Sequence, residues 1–122
     1  MTQALILVDH GSRRAEANSV VEQLARRLRD RTPERVVTFA HMELAHPTVA
    51  EAVAEAVAAG ATEIVVHPYF LAPGNHSTDD IPRLAQEAVD RHPGVTLRVT
   101  APLGVHEKIL DVVLERVHEA GG

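Results

Sequence analysis

At 122 residues with no cysteine, the chain has the size of one domain, expected to span 1–122, and disulfides, thiolate metal sites and iron–sulfur ligation are excluded. A net charge of −5 with 2% aromatic residues argues against nucleic acid as a partner, which asks for a basic surface or a stacking platform. No apolar run approaches the roughly 20 residues of a membrane span and no signal-peptide pattern opens the chain, so the expectation is a cytoplasmic protein with no membrane partner.

In chain order, Ala4 to Val8 is an apolar run of strand length closed by Asp9 and Gly11. Ser12 is then placed as a helix cap, and Ala17, Val20, Val21, Leu24, Ala25 and Leu28 mark an amphipathic helix that ends near Arg31. Arg35 to His41 reads as a second strand on the strength of Val36, Val37, Thr38 and Phe39. Pro47 suits the first turn of a second helix, carried by Val49, Val53, Ala56 and Val57 and closed by Gly60.

Thr62 to Phe70 predicts a third strand, with Pro68 breaking the pairing near its end. Ala72 to Ser77 reads as a loop, after which Ser77 or Thr78 caps a helix with Asp79 and Asp80 in its first turn and Ile81, Leu84, Ala85, Ala88 and Val89 as its stripe. Val95 to Thr100 alternates as a fourth strand, and Ile109, Leu110, Val113, Leu114 and Val117 outline a fourth helix. Strand and helix alternating in this way predict an α/β fold: an open parallel sheet of four strands with right-handed crossovers and helices on both faces.

Ligands of such sheets bind beyond the carboxyl ends of the strands, which singles out the residues after each strand. His10 follows the first strand, Glu43 the second, and His76 lies in the loop after the third. Two imidazoles and a carboxylate suit a borderline divalent ion, and imidazole also accepts a proton near neutral pH. His41 is a candidate supporting residue beside Glu43, and His46 is either a further contact or a helix-start residue. His67, inside an apolar strand, reads as a hydrogen-bonded core histidine, and Arg13 and Arg14 as basic groups beside a helix start that could meet an anion.

Val8-Asp9-His10-Gly11-Ser12-Arg13-Arg14 with Asn18, His41-Met42-Glu43-Leu44-Ala45-His46-Pro47-Thr48, and Pro68 through His76 leading to Asp80-Ile81-Pro82 together resemble the short sirohydrochlorin chelatases, the small CbiX and SirB proteins. The likeness runs through Ala101-Pro102-Leu103-Gly104. It implies a flavodoxin-like chelatase half that works as a homodimer and inserts Fe2+ or Co2+, as substrate, into sirohydrochlorin, with no tightly bound cofactor. It also implies that His10 is proton acceptor and metal ligand, His76 the second ligand, and Glu43 part of the catalytic and macrocycle site. Leu71, Ala72, Pro73, Gly74, Asn75 and His76 would line the macrocycle, with His46, Arg13 and Arg14 as further substrate contacts. His46 stands where many members carry an acidic residue, and the cysteines of the plant SirB proteins are missing. A metal or tetrapyrrole carrier with the same fold is the alternative.

Overall fold

A computed structural model describes residues 2–122, with the side chains of residues 75–78 outside that description. Eight elements alternate: β1 (Thr2–Asp9), α1 (Ala15–Arg31), β2 (Val36–His41), α2 (Val49–Ala58), β3 (Ala61–Pro68), α3 (Asn75–Val89), β4 (Thr96–Val99) and α4 (Glu107–Glu119). The strands form one parallel sheet in the order β2-β1-β3-β4. The α/β expectation therefore holds. The chain leaves β1 toward β2 on one side and returns past it to β3 on the other, so the strand order reverses between β1 and β3.

Alternation along the strands sorts the core into two layers. Ala4, Ile6 and Val8 of β1, with Ala40 of β2 and Ile64 and Val66 of β3, face α2 and α3, meeting Val49, Ala52, Val53, Ile81 and Ala85. Leu7 and Val37 face the opposite way, onto Val21 and Ala25 of α1, with Leu5, Leu24, Leu28 and Phe39 around them. With so few aromatics, branched strand residues against helix alanines let the layers approach closely.

Helix starts depart from expectation. Ser12 does not cap α1, which begins at Ala15 behind Arg14. The Ser12 hydroxyl accepts from the Arg14 amide, while its backbone N–H and C=O are held by the Asn18 carboxamide at 2.9 and 2.7 Å. A local turn of this kind competes with helix for the same backbone groups. Pro47 lies outside α2, one residue before the true cap, Thr48. Thr48 and Glu51 form a reciprocal capping box, which together with His46 holds the Glu51 carboxyl below its usual range. Thr48→Ala is expected to cost about 1 kcal/mol of unfolding free energy, read by denaturant titration.

β3 ends at Pro68, two residues before the predicted Phe70, because proline has no N–H for the ladder; Tyr69 adds one last bond to the Val8 carbonyl. Helix α3 starts at Asn75, so the connecting loop is shorter than predicted. Asp79 and Asp80 sit past its first turn, and Asp80 pairs with Arg83. Helix α4 departs most: none of its residues is buried. Among the described residues, no helix is long and apolar enough to cross a membrane.

Candidate functional site

The carboxyl edge is built where the order reverses, at the ends of β1 and β3. Parallel registry carries past the strands: Met42 donates to the Asp9 carbonyl at 2.8 Å and Glu43 to the His10 carbonyl at 3.1 Å. His10 and Glu43 thus share one edge, and both are exposed. Residues 42–47 are pinned at their far end, where the His41 amide donates to the Pro47 carbonyl. Leu44 within them holds a left-handed φ of 68°, and the His46–Pro47 peptide is cis.

Beneath the edge, Asp9 and His41 stand opposite each other in the β1–β2 register. His41 is 1% exposed, and its Nδ1 lies 2.6 Å from Asp9 Oδ1, with Phe39 edge-on to the ring. A buried imidazole needs such a partner, and the bond fixes its Nδ1 as donor to the carboxylate. His41 is therefore a brace between strand ends, on the α1 side of the sheet with Leu7 and Phe39.

The same alternation turns His10 the other way, and its ring lies against Phe70 with centroids 4.4 Å apart. Among the described residues the His10 ring has no hydrogen-bond partner, which leaves its nitrogens free for a proton or an ion. A cavity of about 310 Å³ opens beside it, lined by Asp9, Gly11, Ser12, Ala17, Asn18, Val20, Tyr69 and Phe70. Phe70 also walls a second, apolar cavity of about 200 Å³ with Pro68, Pro73, Pro82, Val99, Ala101 and Pro102. Four prolines make that surface stiff.

The other predicted residues are placed as follows. Arg13 and Arg14 are exposed where α1 begins, and among the described residues the first amides of α1 receive no side-chain cap. Leu71, Ala72, Pro73 and Gly74 form the exposed loop before α3. Asn75 and His76 belong to the first turn of α3 by backbone, and the roles expected of their side chains lie outside the described residues. Among the described residues, no three His, Asp or Glu side chains cluster to hold a metal. His46 is not brought to His10: it bonds Glu51 at 2.7 Å and lines a separate cavity with Glu22, Arg26 and Phe39.

His67 is half-buried, its Nδ1 2.7 Å from the Thr100 hydroxyl, which in turn donates to the Ala101 carbonyl. Burial lowers its pKa from the usual histidine value, with the Ala101 carbonyl opposing. A depressed folded value means the unfolded chain binds the proton better. This contribution to stability is full above the unfolded histidine value and is lost as pH falls through the folded one. Urea midpoints should therefore drop on acidification below about pH 6.5, and drop less in His67→Gln.

Residues missed from sequence alone are Gly11 as a close-contact position, Phe70 as the ring tilted against His10, and the Val99-to-Pro102 wall. Gly11 adopts φ +88°, and a Cβ there would lie 1.8 Å from the Glu43 carbonyl oxygen. Only a glycine lets the two loops touch.

Comparison with known proteins places this geometry. The CbiX family model matches residues 4–120. A chloroplastic sirohydrochlorin ferrochelatase of Arabidopsis thaliana is 43% identical over 93% of this chain and 50% of its own length. A sirohydrochlorin cobaltochelatase of Methanococcus maripaludis is 31% identical over 95% and 98%. Among solved structures, SirB from Bacillus subtilis with Fe3+ superposes with a TM-score of 0.89 at 28% identity, covering 100% of this chain and 48% of that one. The chain spans about half the length of the plant and Bacillus proteins and nearly all of the archaeal one.

Proposed function

We propose that this chain, which belongs to the CbiX family, inserts a divalent metal, iron or cobalt, into sirohydrochlorin. The observation that carries the reading is His10: an exposed imidazole at the reversal point of the sheet, set at a tilt against the Phe70 ring and free of polar partners among the described residues. Relatives named as sirohydrochlorin ferrochelatase and cobaltochelatase support the substrate.

Metallation exchanges two pyrrole N–H protons for one divalent ion, so the site needs a base at the ring centre and ligands that release the ion. His10 presents the ion and, as the ion passes to the ring nitrogens, its released nitrogen accepts one of the two pyrrole protons while the other leaves to water at the exposed edge, with His76 as the second ligand and Glu43 on the same edge. The Phe70 and proline surface receives the flat macrocycle, and the Leu71-to-His76 loop borders it. Arg13, Arg14 and the uncapped amides of α1 meet peripheral carboxylates, which the net charge of −5 would otherwise repel. His46 serves the start of α2 through its bond to Glu51. Two copies of the chain together would supply what longer relatives carry in one polypeptide.

Anaerobic titration of sirohydrochlorin into the protein, followed by initial rates with ferrous and cobaltous ion in parallel, tests the reading. Saturable binding and protein-dependent metallation with at least one ion are expected. Failure to bind the macrocycle would remove it.

A further inference from the structure

Leu44 stands where the fold has no use for a leucine. It is 56% exposed and among the described residues packs in neither core cluster, whereas Met42, two residues earlier, turns inward onto the α2 side. Its backbone is costly as well. A φ of 68° belongs to the left-handed region, which glycine and asparagine enter readily and a bulky apolar side chain does not. The segment cannot relax it. The Met42 and Glu43 amides are bonded to the Asp9 and His10 carbonyls, and the His41 amide is bonded to the Pro47 carbonyl beyond the turn. A strained residue held by such surroundings, with no burial in return, points to a contact outside the chain.

Its position identifies that contact. β1 lies between β2 and β3, so His10 emerges between the loop carrying Leu44 and the loop carrying Leu71. Leu44 directly follows Glu43, whose carbonyl oxygen is packed against Gly11, the residue after His10. Leu71 directly follows Phe70, whose ring lies against His10, and is 74% exposed. In the described loops after β1, β2 and β3, these two leucines are the only exposed large apolar side chains. Adjacent strands run about 4.8 Å apart, so the loops after β2 and β3 leave the sheet about 10 Å from each other with His10 midway. That is the scale of a tetrapyrrole ring, whose faces are apolar and whose nitrogens must be centred on the imidazole.

We propose that Leu44 is a substrate-contact residue: it bears on the macrocycle from the β2 side of His10, opposite Leu71 on the β3 side, and the two contacts centre the ring nitrogens over the imidazole. The strain persists because glycine or asparagine, which the backbone favours, has no comparable apolar surface to offer. The inference rests on the sirohydrochlorin reading above and adds to it a residue that neither polar chemistry nor core packing selects.

Leu44→Asn and Leu44→Met separate contact from fold. Asparagine suits the left-handed backbone and removes the apolar surface, while methionine keeps both the apolar surface and the strain. With full-length proteins, sirohydrochlorin binding is titrated without metal, urea midpoints are recorded, and wild-type metallation is measured alongside. Leu44→Asn should keep or raise the urea midpoint while its Kd for sirohydrochlorin rises about 5- to 15-fold, the worth of burying the exposed half of a leucine. Leu44→Met should bind within about threefold of wild type. A lowered midpoint in Leu44→Asn would assign the residue to the fold, and unchanged affinity in that variant, or equal losses in both, would remove the contact. Each of these overturns the inference while wild-type metallation leaves the broader reading standing. Wild-type protein that binds no sirohydrochlorin overturns both.

Discussion

His10→Ala is expected to lower the rate of metal insertion by about 10²- to 10⁴-fold, the usual worth of a positioned proton acceptor, with a further loss for the departed ligand. The fold should be unaffected. His10 is exposed, and among the described residues its ring forms no hydrogen bond, so truncation leaves neither a buried cavity nor an orphaned polar group. Phe70 loses a ring contact and sirohydrochlorin keeps the proline surface, so macrocycle affinity should fall far less than rate. Single-turnover kinetics with binding measured separately resolves the two. A variant within about threefold of wild type would remove His10 from the chemistry, since acid–base catalysis contributes more than that.

Gly11→Ala should be the more damaging change to structure. Its φ of +88° is strained for any L side chain, and the added carbon would meet a backbone oxygen, Glu43 O, at 1.8 Å, with His41 Cβ at 3.1 Å. No side-chain rotation relieves a backbone clash, so the β1 and β2 loops must part, breaking the Glu43 N–His10 O bond. A loss of more than about 2 kcal/mol in unfolding free energy is expected, together with loss of activity. Denaturant titration beside an activity measurement checks it. Wild-type stability in Gly11→Ala would contradict the close approach of the two loops.

The strands were legible because buried parallel strands are continuous apolar runs, and β1, β2 and β4 fall within two residues of their predicted limits. The pairing of His10 with Glu43 at one edge was legible too, from the rule that places function after strand ends. The Asp9–His41 brace was not. It depends on which residue of β2 stands opposite Asp9, and register is a property of the assembled sheet. Helix starts failed where small polar side chains had competing uses: Ser12 is taken by Asn18 and Arg14, and Thr48, not Pro47, closes the box with Glu51. For α4, periodicity identified the apolar face correctly but says nothing of what covers it. Position alone left His46 as either a further contact or a helix-start residue, and its bond to Glu51 places it at the start of α2.

The most direct test of the central claim is an anaerobic progress curve for wild-type protein with excess sirohydrochlorin and excess cobaltous or ferrous ion, followed through the absorbance of the metallated macrocycle. A chelatase forms many equivalents of product per protein, well above the protein-free rate and collapsing in His10→Ala. Product that stops at one equivalent, or forms no faster than in the protein-free control, would contradict the account and leave a carrier in its place.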